Sequence, residues 1–88
     1  MQIMYYVYIL KSLVDGKIYT GFTSDLKHRY QQHLDGMVFS TKNRRPLKLI
    51  YYEAFLSKID AAKQEKYLKS GGKAKIDLKT KIKNSLEL

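Results

Sequence analysis

Apolar and polar positions change their spacing several times along the chain, and each change predicts an element. Residues 4–10, MYYVYIL, are an unbroken β-branched and aromatic run, which predicts a buried strand. DGK at 15–17 supplies a turn, and KIYTGFT reads as the antiparallel partner. Thr23 or Ser24 is then placed to cap a helix over about residues 25–35, with Asp25 in its first turn and Gly36 at its end. Residues 37–46, MVFSTKNRRP, follow no period and carry Lys42, Arg44 and Arg45 ahead of Pro46, so a basic loop is expected. LKLIYYEAF at 47–55 returns to strand composition. Ser57, with Asp60 three residues on, opens a second helix to about Leu68, and Gly71 and Gly72 break it. The remaining KAKIDLKTKIKNSLEL predicts a weakly amphipathic basic helix over about 74–87.

The order β-β-α-β-α-α predicts an α+β fold, a small and mainly antiparallel sheet covered by helices. One domain is expected over residues 1–88, with its core at about 4–70 and the basic helix appended. No repeat, low-complexity segment or linker divides it. A chain of this length buries a thin core.

Face assignments refine the picture. With Val14 opposite Lys17 across the turn, Tyr8 and Tyr19 share one face of the sheet; a slip of one residue separates them. Gly21 weakens a strand and marks a place where a backbone or ligand approaches closely. In the first helix Leu26, Tyr30 and Leu34 form the stripe facing the sheet, and Arg29 and His33 stack along its rim. In the second helix Ala61, Ala62 and Leu68 mark an inward face with Glu65 in its middle. Glu is rarely buried without a partner; a cation such as Arg29 or a lysine, or a metal ion, would serve.

Charge narrows the partner. Seventeen Lys and Arg against eight Asp and Glu leave +9, and residues 58–83 hold nine lysines against Asp60, Glu65 and Asp77. Such a field attracts polyanions, so nucleic acid is the leading partner class, DNA ahead of RNA. Lys42, Arg44, Arg45, Lys69 and Lys73 are the expected backbone contacts. A membrane surface ranks below it, because no helix pairs this charge with a bulky aromatic face. The apolar start is too short to span a bilayer and lacks the features of a signal peptide, and there is no cysteine. A cytoplasmic protein without disulfides is expected.

Tyrosine hydroxyls, an arginine, a histidine and a lone carboxylate in a basic chain suit phosphodiester hydrolysis. Arginine would stabilise charge on the phosphoryl oxygens and tyrosine or histidine would move protons. No glycine-rich phosphate loop, paired metal-binding histidines or nucleophile elbow offers a rival chemistry.

YVYIL followed by YTG, then Arg29, His33 and Glu65, resembles the GIY-YIG nuclease superfamily, most closely its small stand-alone bacterial members. The resemblance covers about residues 4–70 and extends to STKNRRPLKLIYYE. It implies a three-stranded antiparallel sheet flanked by helices and a single divalent ion, Mg²⁺ or Mn²⁺. It implies catalytic roles for Tyr8, Tyr19, Arg29, His33 and Glu65, with Arg29 on the phosphate and Glu65 on the metal. The general base stays open among Tyr8, Tyr19 and His33. The expected activity is metal-dependent cleavage of DNA or RNA with little sequence specificity; the alternative is a basic binding module of the same fold without catalysis. Some relatives place a lysine where this chain has Phe22.

Overall fold

The computed structural model describes residues 3–88; Met1 and Gln2 of the expected domain lie outside the described residues. The elements are β1 (Tyr5–Ser12), β2 (Ile18–Thr23), α1 (Leu26–Leu34), a single 3₁₀ turn (Lys42–Arg44), β3 (Leu47–Phe55), α2 (Lys58–Lys69), α3 (Gly72–Lys81) and α4 (Lys83–Glu87). The three strands form one antiparallel sheet in the order β2-β1-β3. This is the α+β arrangement that the hydrophobic pattern predicts.

β1 takes the centre because helices cover both of its faces. Val7 and Ile9 pack with Ala61, Leu68, Leu78 and Ile82 from α2, α3 and the α3–α4 junction. Tyr8 and Leu10 point the other way, with Leu47, Tyr19, Leu26 and Tyr30, under α1. Burial on two sides removes any need for alternation, which is why this strand reads as a continuous apolar run.

The β1–β2 register pairs Tyr8 with Gly21 and Lys11 with Ile18, two residues from the pairing drawn with Val14 opposite Lys17. An even shift leaves the faces unchanged, so Tyr8 and Tyr19 do share the α1 side. The longer connection is held by Ser12 N donating to Lys17 O and Gly16 N to Ser12 O. Ser12 Oγ also donates to Arg44 O at 2.7 Å, tying the hairpin to the basic loop. On the other side a bulge between Ile9 and Leu10 shifts the β1–β3 pairing, from Ile9–Tyr51 to Leu10–Leu49.

Capping differs in detail from expectation. Asp25, not Thr23 or Ser24, caps α1, with Oδ1 accepting from His28 N at 3.1 Å. Thr23 still ends β2, and its Oγ1 accepts from Asp25 N, which leaves the capping place to the next carboxylate. Ser57 caps α2 through Asp60 N as expected. The third helix is broken into α3 and α4 at Ile82, whose φ of −110° departs from helical values while its side chain fills the core. Ala62 faces solvent, so the inner face of α2 rests on Ala61 and Leu68.

The largest departure is the rotation of α1. Leu34 is 39% exposed and His33 is fully buried. The helix turns Leu26, Tyr30 and His33 toward the sheet and leaves Leu34 beside Lys42, Arg45, Pro46 and Leu47 at the surface.

Gly21 makes room for the ring opposite it. A Cβ there would fall 2.2 Å from Tyr8 Cζ and 2.3 Å from its hydroxyl, so the close approach that the glycine marks is a phenol from the neighbouring strand. Gly21→Ala should therefore cost about 1–3 kcal/mol by overpacking, lowering the melting temperature by about 4–8 °C per kcal/mol. The same substitution should cost far less in a Tyr8→Ala background. Thermal melts of the four proteins check this, and an unchanged melting temperature for Gly21→Ala alone would contradict the packing.

Candidate active site

β1, β2 and α1 bring three rings together. The Tyr8 hydroxyl lies 2.8 Å from His33 Nε2, and His33 Nδ1 lies 2.8 Å from Thr41 Oγ1. The Tyr8, Tyr19 and His33 ring centroids are 5.3–6.4 Å apart. Tyr8, His33 and Thr41 are all buried, yet among the described residues no buried side-chain polar atom lacks a partner. Burying three polar groups without partners would cost several kcal/mol; the hydrogen-bonded chain removes that cost and dictates how α1 must turn.

Electrostatics follow from burial. Desolvation pushes the Tyr8 phenol up to about 12 against the pull of Arg29, while Tyr19 and Glu65 add to the rise. Desolvation and the Arg29 cation push His33 down to about 4. Both groups are neutral at pH 7. A neutral imidazole donates at one nitrogen and accepts at the other. The Arg29 cation beside the phenol favours the tautomer in which Tyr8 donates to Nε2 and Nδ1–H donates to Thr41.

Arg29 lies half-buried on α1, its Nη1 donating to Gln32 Oε1 at 3.0 Å. It is on the same side of the sheet as Tyr8 and acts on both Tyr8 and His33. Glu65 comes from α2, which packs against the opposite face; its side chain is 23% exposed and pairs with Lys69 at 3.0 Å. Glu65 also lies within the field of Tyr8. The structure thus joins Tyr8, Tyr19 and His33 by direct contact and places Arg29 and Glu65 within electrostatic range. One open cavity around all five is not formed, because Tyr8 and His33 are sealed. Tyr19 instead opens onto a hollow of about 210 Å³, lined also by Thr20, Lys69 and Lys75.

The basic residues divide by occupation. Lys42 and Arg45 border a surface hollow of about 400 Å³, although Arg45 Nε is donated to Lys42 O and its guanidinium covers Gly36. Arg44 is half-buried, Lys69 is held by Glu65, and Lys73 is exposed near the start of α3. Phe22 stacks on Tyr5 on the sheet face away from Tyr8, so no cation stands at its position near the phenols.

Thr41 was not legible as a site residue, since a threonine in an aperiodic loop carries no local signal. A model of the GIY-YIG catalytic domain matches residues 4–79. The chain belongs to the GIY-YIG family. A UPF0213 protein of Bacillus pumilus is 40% identical over 75 residues, 84% of this chain and 76% of the relative. One from Clostridium perfringens is 43% identical over 67 residues, 75% of this chain and 71% of that one. The solution NMR structure of a UPF0213 protein from Bacillus halodurans superposes with a TM-score of 0.58 at 34% identity, covering 92% of this chain and 86% of the other. GIY-YIG membership makes this a nuclease-like domain, of a class that generally depends on divalent metal and acts on nucleic acid. No helix among the described residues is long and apolar enough to cross a membrane.

The low His33 value has a consequence for stability. The unfolded chain, with an ordinary imidazole near 6.5, takes up a proton that the folded chain refuses until about pH 4. His33 therefore contributes stability that is present above pH 6.5 and lost on acidification toward pH 4, at up to about 1.4 kcal/mol per pH unit. Urea midpoints of wild type and His33→Gln should converge across this window. Parallel curves would contradict the burial.

Proposed function

We propose that the chain is a metal-dependent endonuclease that hydrolyses phosphodiester bonds with little sequence specificity, DNA ahead of RNA. The observation that carries this is the convergence of two phenols and an imidazole with Arg29 and Glu65 in electrostatic reach. One domain is proposed for residues 1–88.

Hydrolysis needs a proton removed from the attacking water as its oxygen bonds to phosphorus. A second proton must reach the leaving oxygen as the P–O bond breaks. On this reading Tyr8, Tyr19 and His33 would be the candidates to move these protons, and Arg29 would stabilise charge on the phosphoryl oxygens. With burial raising the phenol and lowering the imidazole, proton transfer from Tyr8 to His33 is unfavourable in the resting protein. There His33 orients the phenol and does not ionise it. Tyr19, less buried and facing the hollow with Lys69 and Lys75, is the phenol nearer solvent.

The donor set fits a single Mg²⁺ or Mn²⁺. Among the described residues no three His, Cys, Asp or Glu cluster together, and Glu65 is the carboxylate that acts on Tyr8. Magnesium is commonly held by one or two carboxylates with waters and substrate phosphate completing the shell. Glu65 would hold it after releasing Lys69. When bound, the ion would polarise the phosphoryl oxygens.

A binding module without catalysis is the competing reading. The sealed Tyr8–His33 pair and the Lys69 contact on Glu65 favour it. Lysines and exposed aromatics alone would give salt-sensitive binding without metal.

A cleavage assay on single-stranded, nicked and branched substrates separates the two. Wild type should cut with Mg²⁺ or Mn²⁺ and stop in EDTA, and Glu65→Ala and Arg29→Ala should each lower the rate by about 100-fold or more. Undiminished cleavage by Glu65→Ala protein would contradict the assignment. Tight binding with no cleavage under any metal would establish the binding module.

A further inference from the structure

On the α1 side of the sheet, next to the Tyr8 centre, lies a groove of about 500 Å³ with Tyr6, Tyr30, Tyr52, Leu26 and Leu49 in its walls. Tyr52 stands directly opposite Tyr8 in the β1–β3 ladder. Its ring meets Tyr6 edge-on at 5.9 Å, and the residue is 52% exposed. The β3 bulge builds this surface. Leu49 and Tyr52 have opposite parity along the strand, and the extra residue re-aims Leu49 and Leu47 to the same side as Tyr52. Tyr30 forms a fixed wall, its hydroxyl accepting from Leu49 N at 3.2 Å.

Charge states what can occupy the groove. Lys27, in the first turn of α1, lines the groove. Asp25, which lines the groove as well, is a carboxylate committed to capping α1. A phosphate seated inside would meet that carboxylate, whereas a base would present amino donors to it and a π-face to Tyr52. The backbone of the same nucleotide would then meet the Lys27 cation at the rim of the groove.

We infer that this groove is a nucleobase-stacking subsite. It rests on the reading that the Tyr8 centre takes a phosphodiester. It narrows the substrate to strands with an unpaired nucleotide beside the scissile bond, since a base inside a duplex has both faces occupied by its neighbours. Tyr52 is a specificity-determining residue: it stacks, and its hydroxyl has no part in the role.

The test is binding in EDTA, so it does not depend on cleavage. Fluorescence anisotropy compares a short single-stranded oligonucleotide, a matched duplex, and single-stranded oligonucleotides carrying one abasic position moved along the strand. Tyr52→Ala should weaken single-strand binding by about tenfold and leave duplex binding unchanged, while Tyr52→Phe should bind like wild type. One abasic position should weaken wild type and have no effect on Tyr52→Ala. Equal losses on single strand and duplex, or unchanged single-strand binding by Tyr52→Ala, would overturn the subsite. A change of oligomeric state in Tyr52→Ala with unchanged oligonucleotide binding would also overturn it, by assigning the groove to a second copy of the chain. Absence of cleavage by wild type with metal would defeat the nuclease reading while leaving this result readable.

Discussion

An imidazole buried between a phenol and a hydroxyl must keep both hydrogen bonds or unfold its surroundings. In this chain that constraint links four segments: Tyr8 from the central strand, Gly21 from its partner, His33 from α1 and Thr41 from the basic loop. It fixes the rotation of α1, the depth at which Tyr8 sits, and the path of the loop before β3. It also sets the chemistry, because burial keeps the imidazole and the phenol neutral and pulls their proton affinities far apart. Arg29, on the next position around the same helix face, is aimed by the same rotation.

Much of the fold was legible because it is written locally. The unbroken run in β1, the turn glycine, the serine before α2 and the paired glycines after it each act through backbone physics over a few residues. α1 was misread for an instructive reason. Leu34 continues the Leu26–Tyr30 stripe, and a hydropathy pattern counts His33 as polar. Two partners far away in the chain remove the cost of burying His33, and no local window contains them. Turning His33 inward carries Leu34 out beside Pro46 and Leu47 at the surface.

The site shows the same division. The five expected residues were named from order and spacing that match the GIY-YIG pattern, and the fold brings Tyr8, Tyr19 and His33 of them into contact; Gly21 was legible because a glycine within a strand needs a reason. Thr41 and Tyr52, the residue proposed to stack a base, were not. Thr41 matters only through its bond to His33. Tyr52 matters only through its alignment with Tyr8 and the bulge that brings Leu49 to its side. Glu65 lies between: its inward tendency was readable, but its Lys69 partner and its approach from the far face of the sheet required the folded chain.

The protonation of His33 within that buried chain is the point on which the fold and the site both turn. ¹⁵N NMR of the imidazole in the intact protein, titrated from pH 7.5 to the limit of folding, reads it directly. A fixed neutral tautomer, protonated at Nδ1 and bare at Nε2, should persist through the range where an ordinary histidine charges. An imidazole that titrates near 6.5, or that carries its proton at Nε2, would contradict it.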